Sequence, residues 1–276
     1  MPELAEVEVG RKLLERVAVG RRVRSVACAD DRIVFEGVSP DAVAEALTGA
    51  RVAAARRHGK HLWLELDRRP WPLFHFGMTG AFRVPEEPAL ELESGIRDGG
   101  EWPPRFTKIH LRLDDGGELA MTNARRLGRV RLRHDPEREP PIAPLGFDPL
   151  TGLPPPARFV AAFGRRRGPM KAVLLDQGFA AGIGNWLADE ILYQARIDPR
   201  RPAAELSADE ARRVRAAMKR VVHTAVAVDA DKGRFPRSWL FHHRWGKKAG
   251  ARVGGHLVEF TSVGGRTTAW VPARQA

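Results

Sequence analysis

A glycine-rich segment in the second half of the chain has the residue types of a phosphate-binding site. Residues 177–186 read QGFAAGIGNW and come directly before a predicted helix. Glycines in front of a helix leave backbone N–H groups exposed at its positive end, and the side chain of Asn185 adds a donor. The same spacing is typical of a plain turn between two helices, so the pattern alone leaves both interpretations open.

A basic stretch with interleaved aromatic residues follows. Seven lysines or arginines and no acidic residue lie between positions 232 and 252. Trp239, Phe241 and Trp245 stand among them. This combination favours contact with a polyanion, and a basic face that simply meets solvent is the alternative.

The composition of the whole chain agrees with a polyanionic partner. Its 276 residues include 46 Lys and Arg against 34 Asp and Glu, a formal charge of +12. Such an excess points most often to nucleic acid and sometimes to an anionic membrane face. Hydrophobic residues make up 43%, enough for one large or two modest domains, which excludes a stapled mini-protein.

The sequence also carries expectations about location and metals. No stretch approaches about 18 uncharged apolar residues, so we expect no membrane span. The acidic N-terminus lacks a basic region followed by an apolar core, so we expect a cytoplasmic or at least intracellular protein. Cys28 is the single cysteine, which excludes an intrachain disulfide and any multi-cysteine metal site.

The elements that would position these residues can be predicted in the first half from hydrophobic spacing. Apolar residues at helical spacing predict a helix from Glu3 to Val17. Alternating residues predict strands over 61–66, 108–113 and 129–133, so a helix on a largely antiparallel sheet is expected. Eight of the 21 prolines lie between residues 136 and 156 and predict an extended linker.

The second half is predicted to be helical and then to form strands. Asn185 is expected to cap a helix that ends before Pro199, and Ser207 with Glu210 fits a capping box. Glycine pairs at 254–255 and 264–265 predict a β-hairpin in the tail. The helix after the capping box has an apolar face of Val214, Met218, Val221, Val222 and Ala225.

Five segments of the sequence resemble the formamidopyrimidine-DNA glycosylases and the endonuclease VIII-like enzymes. They are residues 2–8 (PELAEVE), 57–62 (RHGKHL), 75–80 (HFGMTG), 182–190 (GIGNWLADE) and 264–268 (GGRTT). Five motifs in the same order over nearly the whole chain are far more specific than any one alone. The plant and fungal members are the most similar, through residues 63–67 (WLELD), 176–178 (DQG) and 228–231 (VDAD).

The resemblance implies an α+β fold and a repair activity. A helix and an antiparallel β-sandwich would occupy residues 1–135, followed by the linker at 136–156. A helix–two-turns–helix domain would occupy 157–235, and a zincless β-hairpin finger 236–276. The implied protein is a bifunctional DNA glycosylase and abasic-site lyase of base excision repair. It acts as a monomer on damaged double-stranded DNA in the nucleoid or nucleus, needs no metal or cofactor, and does not bind a membrane.

The resemblance also implies the catalytic residues. Pro2, freed by removal of Met1, attacks C1′ of the damaged nucleotide, expels the base and forms a Schiff base that leads to β- and δ-elimination. An α-amine has a reference pKa of about 7.7–8 against about 10.4 for lysine, and a helix N-terminus favours its neutral form. Glu3 would shuttle protons at the sugar, and Glu6 would support that geometry. Proline and acidic residues in a first helical turn are also common without any catalytic role.

The resemblance assigns further residues to the DNA. Three residues match family positions that bind phosphates around the lesion: Lys60, Asn185 and Arg266. Lys60 is also grouped with the catalytic residues. Lys171 matches a further basic position of the family. Met78 matches a methionine that fills the gap left by the extruded nucleotide. Arg125 and Leu127 match the arginine and the aromatic residue that face the opposite strand. Taken singly, surface lysines without contacts and a core methionine are the ordinary alternatives.

Three departures from the family pattern stand out. Leu127 replaces the usual phenylalanine and stacks less well, although leucine can still wedge between bases. Ala5 replaces a second proline and changes the local backbone without touching the nucleophile. The tail has no cysteine, so a thiolate zinc site is impossible and packing must hold the finger. The residues expected to provide this packing are Val253, Leu257, Phe260 and Trp270.

Two other functions remain open from the sequence. The first is a lesion or abasic-site DNA-binding protein without catalysis, and the second is general duplex binding through charge alone. The segment over residues 229–239 is short, so we expect an extended loop covering the flipped base to be reduced or absent. Its reduction favours activity on ring-opened purines, abasic sites or hydantoins over strong activity on 8-oxoguanine.

Overall fold

The computed structural model describes residues 2–85 and 100–275. The chain divides into two compact units, Met1–Pro144 and Leu145–Ala276. Residues 134–155 consist mainly of turns, without a helix or a paired strand of more than one residue. The narrower domain boundaries at 135, 156 and 235 stay predictions.

The first unit begins with a helix and continues mainly as antiparallel strands. Helix α1 runs over Leu4–Ala18, one residue later at each end than predicted, and helix α2 over Pro40–Leu47. The strands are β1 (Val23–Cys28), β2 (Val52–His58), β3 (His61–Leu66), β4 (Trp71–His75), β5 (Ala81–Arg83), β6 (Thr107–Leu113), β7 (Glu118–Thr122) and β8 (Arg129–Arg133). The three predicted strands correspond to β3, β6 and β8.

Two four-stranded sheets share one hydrophobic core in this unit. Their strand orders are β1-β6-β7-β5 and β2-β3-β4-β8, with antiparallel pairs throughout. Leu62 and Phe74 of one sheet and Leu111 of the other belong to the same buried cluster. Leu14 of α1 lies in this cluster as well, because the helix packs against β2. The expected helix with an antiparallel β-sandwich is confirmed.

The second unit begins with four helices. They are α3 (Pro156–Phe163), α4 (Met170–Leu175), α5 (Asn185–Ala195) and α6 (Ala208–Ala227). The predicted capping box at the start of α6 is confirmed: Ser207 Oγ accepts from Glu210 N at 3.2 Å, and Glu210 Oε2 accepts from Ser207 N at 2.8 Å. The predicted apolar face of α6 is buried, and α6 packs against α5. Within the described residues, no helix is long and apolar enough to cross a membrane.

The tail forms two hairpins where the sequence predicted one. Strands β9 (Arg252–Val253) and β10 (His256–Leu257) pair with each other, and so do β11 (Glu259–Val263) and β12 (Arg266–Trp270). Each glycine pair makes a two-residue turn, with φ of +55° and +83° at 254–255 and +58° and +71° at 264–265. Glycine adopts this left-handed backbone without a steric penalty.

The packing predicted for the tail is correct except at one residue. Val253 and Trp270 are buried, and Phe260 packs against the Val253 cluster. The prediction for Leu257 is wrong, because its side chain is 47% exposed. Leu257 pairs with the exposed Arg252 and therefore lies on the outward face of its hairpin, whereas Val253 turns inward.

Candidate active site

The residues predicted to be catalytic begin at the positive end of α1. Glu3 is the N-cap, with an extended backbone, so Pro2 lies just before the helix and not within its first turn. Both residues are buried. The carboxylate of Glu6 turns back to this end, where its Oε2 accepts from Glu3 N at 2.9 Å. The helix start therefore brings the carboxyl group of Glu6 back to the backbone that joins Glu3 to Pro2.

The acid–base properties of this helix end are unusual for glutamate. Burial raises the pKa of Glu6 to about 7, and the negative charge of Glu3 contributes in the same direction. A carboxyl group with a pKa near neutral can both donate and accept a proton at pH 7. The start of α1 thus places Pro2 next to two carboxyl groups, one of which, Glu6, has a pKa suited to proton transfer.

Lys60 lies at the tip of the β2–β3 hairpin, which is fixed to the same helix. His58 pairs with His61, so Gly59 and Lys60 form the two-residue turn. Arg57 donates from Nη1 to Gly59 O at 2.9 Å and from Nε to Oε2 of Glu8 at 2.8 Å. The side chains of Arg57 and Glu8 are only 1% and 8% exposed, and Glu8 belongs to α1. A buried ion pair therefore connects helix α1 to the turn that presents Lys60.

Two neutral histidines lie next to Lys60 on the sheet. The ring centroids of His61 and His75 are 4.9 Å apart. Burial, together with the positive charge of Lys60, lowers the pKa of His75 to about 4. His75 Nδ1 accepts from Gly77 N at 3.2 Å, so Nε2 carries the proton and can donate. His75 belongs to the motif at residues 75–80, but no role was predicted for it from the sequence.

The residue predicted to fill the gap left by the nucleotide and the two predicted to face the opposite strand lie on two loops, which the buried side-chain amide of Asn123 joins. Met78 belongs to the turn between β4 and β5, and it is half-buried. Asn123 is 0% exposed, donates from Nδ2 to Phe76 O at 2.9 Å and accepts from Gly128 N at 3.1 Å. The loop with Arg125 and Leu127 is thereby held against the loop with Met78. Sequence reasoning missed Asn123, whose partner Phe76 lies 47 positions away.

Glycines allow these two loops to approach closely. A Cβ added at Gly77, where φ is +62°, would stand 2.3 Å from the carbonyl carbon of Leu127. A Cβ at Gly128 would stand 2.3 Å from Nδ2 of Asn123. Arg125 is exposed, and the side chain of Leu127 is 43% exposed. The close packing of the two loops at Gly77 and Gly128 leaves the side chains of Arg125 and Leu127 exposed to solvent.

Asp189 organises the predicted phosphate-binding residues of the second unit. It is 1% exposed, and its carboxylate accepts from Lys171 Nζ at 2.6 Å, Arg244 Nη2 at 2.8 Å and the N–H of Ala269 at 3.1 Å. These partners come from α4, from the segment after a 3-10 helix at Leu240–His243, and from β12. One carboxylate thus joins the helices to the second hairpin.

Asn185, Lys171 and Arg266 meet around one turn of that hairpin. Thr267 O accepts from Asn185 Nδ2 at 3.0 Å and from Lys171 Nζ at 2.9 Å. Arg266, the preceding residue, is exposed beside the turn at 264–265. Asn185 is the first residue of α5, with Gly184 as N-cap, so the expected capping role is wrong: its amide is used by the hairpin. Lys171 is 0% exposed in this structure, so its ammonium group supports the hairpin from inside.

Two of the three aromatic residues of the basic stretch, Trp239 and Phe241, belong to a buried core, whereas Trp245 is partly exposed. Trp239 and Phe241 are 5% and 4% exposed. Phe235 lies 5.0 Å from Trp239 and 4.9 Å from Phe241, measured between ring centroids, and Trp186 of α5 joins this cluster. The rings therefore fix the tail to α5, while Arg237 and Lys248 among the cations face solvent. Among residues 2–85 and 100–275, no group of three or more His, Cys, Asp or Glu could hold a metal ion.

Comparison with known proteins agrees with this arrangement along the chain. Residues 1–130 match the formamidopyrimidine-DNA glycosylase N-terminal domain, and residues 145–236 match the formamidopyrimidine-DNA glycosylase H2TH domain. Residues 239–272 match the formamidopyrimidine-DNA glycosylase-like C-terminal domain. A formamidopyrimidine-DNA glycosylase of Arabidopsis thaliana is 42% identical over the whole chain, which covers 71% of that relative. The chain belongs to the formamidopyrimidine-DNA glycosylase family.

Other members of the formamidopyrimidine-DNA glycosylase family match along their full lengths. The protein of Geobacillus kaustophilus is 33% identical, with both chains fully covered. The solved Fpg structure of Thermus thermophilus has a TM-score of 0.77 and 31% identity over 99% of this chain and 98% of that one. Lactococcus lactis Fpg, solved bound to DNA containing an AP site, has a TM-score of 0.80 over 99% of each chain. At 22% identity, the Lactococcus structure shows a shared fold.

Proposed function

We propose that this protein, a DNA glycosylase of base excision repair by its family, is bifunctional and acts through Pro2. Its substrates are oxidised or ring-opened bases in double-stranded DNA, and it also cleaves abasic sites. The observation that carries this proposal is the start of α1, where Pro2 immediately precedes the N-cap residue Glu3 and Oε2 of Glu6 accepts from Glu3 N at 2.9 Å.

The reaction begins with the nitrogen of Pro2. Its lone pair forms a bond to C1′ while the bond between C1′ and the base breaks. The base leaves with the electron pair and takes up the proton that the now positively charged nitrogen of Pro2 releases. Glu3 then donates a proton to the ring oxygen O4′ as the bond between C1′ and O4′ breaks. The ring opens, and an iminium ion joins Pro2 to C1′. The iminium acts as an electron sink, so loss of a proton from C2′ expels the 3′ phosphate and a second elimination expels the 5′ phosphate. Glu6 holds the backbone of Glu3 in place throughout.

The DNA-binding residues supply the energy for extruding the nucleotide. Unstacking a nucleotide costs a few kcal/mol, which several phosphate contacts can offset. We assign Lys60 of the first unit and Asn185 and Arg266 of the second to these contacts. Lys171 supports Arg266 through Asp189 and Thr267, because its ammonium group is buried. Met78 fills the gap left by the extruded nucleotide, and Arg125 and Leu127 face the opposite strand.

Borohydride trapping tests the nucleophile directly. Protein with Met1 removed, as verified by intact mass, should form a covalent adduct with an abasic duplex when borohydride reduces the iminium. A form that keeps an additional N-terminal residue has no free imino nitrogen and should form none. Pro2→Gly retains an amine and serves as the intermediate case. Undiminished adduct in the blocked form would show that another group is the nucleophile, and tight binding without adduct in the trimmed form would indicate the non-catalytic alternative.

A further inference from the structure

A second exposed apolar side chain lies on a segment joined to the Leu127 loop. Among the residues that the structure describes, the exposed large hydrophobic side chains are Ile33 (49%), Leu127 (43%) and Leu257 (47%). The turn over residues 31–35 carries Ile33. Its later end is bonded to β8, because Val130 N donates to Val34 O at 2.7 Å and Glu36 N donates to Val130 O at 3.0 Å.

The earlier end of the same turn is clamped to the residue before Leu127. Asp31 is 4% exposed, and its carboxylate accepts from Nε and Nη2 of Arg126, both at 2.9 Å. Lys108 Nζ is 2.8 Å from the same carboxylate, and the N–H of Ile33 donates to it at 3.2 Å. Burial alone would raise the pKa of Asp31, but hydrogen bonds from Arg126 and Lys108 hold it well below its usual range. Residues 31–35 and 126–130 are therefore held together at both ends.

The two segments share a pattern that suits a nucleic-acid strand. In each one an exposed arginine directly precedes the exposed apolar residue: Arg32 before Ile33, and Arg126 before Leu127. A single exposed isoleucine is ordinary in a soluble protein. Here it directly follows the exposed Arg32 and is joined through Asp31 to the loop proposed to wedge into DNA, which favours a polyanionic strand over an apolar protein partner.

We propose that Ile33 is a second apolar contact to the strand opposite the lesion, with Asp31 positioning Ile33 and Leu127 as one unit. This inference rests on the proposed function, since it assigns the same strand that Leu127 faces. Ile33 contributes to discrimination between opposite bases and takes no part in the chemistry at C1′.

Binding measurements on Ile33→Ala test this contact. The probes are duplexes with a tetrahydrofuran abasic analogue opposite each of the four bases, and the same lesion strand alone. Loss of one half-exposed side chain from an interface should weaken duplex binding about threefold to tenfold and reduce the spread among the four opposite bases. Binding to the single strand should not change. Leu257→Ala is the matched control, because Leu257 has similar exposure on the other unit, and it should leave all five affinities unchanged.

A double variant sharpens the result. If Ile33 and Leu127 act as one unit, Ile33→Ala combined with Leu127→Ala should lose less than the product of the single losses. Equal affinities of Ile33→Ala and the parent protein for all four duplexes, or an equal loss on the single strand, would overturn the inference. The borohydride adduct of the parent protein separates the two proposals: its presence with an unaffected Ile33→Ala variant rejects only the contact, whereas its absence rejects the proposed function.

Discussion

Two buried acidic centres, one in each unit of the chain, are built in opposite ways. At the start of α1, Glu3 and Glu6 lie three positions apart, and burial together with the charge of Glu3 raises the pKa of Glu6 to about 7. In the second unit, the carboxylate of Asp189 accepts hydrogen bonds from two cationic side chains, Lys171 and Arg244, and from a backbone N–H. The first centre places two carboxyl groups together, and the second surrounds one carboxylate with cations.

The difference separates a centre suited to proton transfer from a centre suited to structural support. Cations beside a carboxylate favour its charged form and fix its geometry, so it holds neighbouring elements in position. Like charges and burial instead favour a protonated carboxyl group, which can give up or take a proton at neutral pH. Buried acidic residues thus serve opposite purposes, and their partners decide which.

The largest expected effect is on the chemical step at the first centre. Glu3→Gln keeps the shape of the side chain and removes its titratable proton, so single-turnover base release should fall about 10²- to 10⁴-fold. Glu15→Gln on the same helix is the control, because Glu15 is 58% exposed and pairs with Arg11 at the surface. Rates of Glu3→Gln within about threefold of the parent protein would remove Glu3 from the proton transfer.

The second centre should respond in stability. Asp189→Ala leaves Lys171 and Arg244, whose side chains are 0% and 5% exposed, without their shared carboxylate. Urea unfolding should show a loss of about 3–5 kcal/mol in the free energy of unfolding, the usual cost of breaking a buried ion pair. Asp209→Ala, which removes an 82% exposed carboxylate, should stay within about 0.5 kcal/mol. A loss below about 1 kcal/mol for Asp189→Ala would contradict a supporting role.

A smaller effect on the free energy of unfolding is expected from Glu190. It is the residue after Asp189, and its pKa, like that of Glu6, is about 7. Burial raises its pKa from 4.5 to about 7, against hydrogen bonds from Gln194 and Phe241 N. The folded state therefore binds the proton more tightly, so this contribution to stability is complete below pH 4.5 and is lost as the pH rises through about 7. Between these pH values the free energy of unfolding should fall by roughly 2–3 kcal/mol more in the parent protein than in Glu190→Gln. Parallel stability curves for the two proteins would exclude this titration.

The sequence predicted those features that depend on neighbouring residues. Strands β3 and β8 have the predicted bounds, and the capping box of Ser207 forms between residues three positions apart. Helix α1 begins and ends one residue later than predicted. Hydrophobic alternation and capping act within a few residues, so they can be recognised without knowing the fold.

Features that depend on distant partners could not be predicted in this way. Asn185 looks like a helix cap in the sequence, but its amide donates to Thr267, 82 positions further along. Asp189 belongs to the motif at residues 182–190, yet its hydrogen-bond partners lie 18, 55 and 80 positions away. The candidate catalytic residues came from resemblance to a family. Spacing alone could not distinguish Pro2 from an ordinary proline at a helix start.

The hydrogen bonds to the Asp189 carboxylate also have a consequence for resistance to oxidation. Zinc fingers held by thiolates lose their metal when peroxide converts cysteine to sulfenic acid. Here the β11–β12 hairpin is clamped by carboxylate, ammonium and guanidinium groups, and the single thiol of the chain, Cys28, lies in the other unit. The clamp that supports Arg266 is therefore inert to the same reactive oxygen species that create oxidised bases.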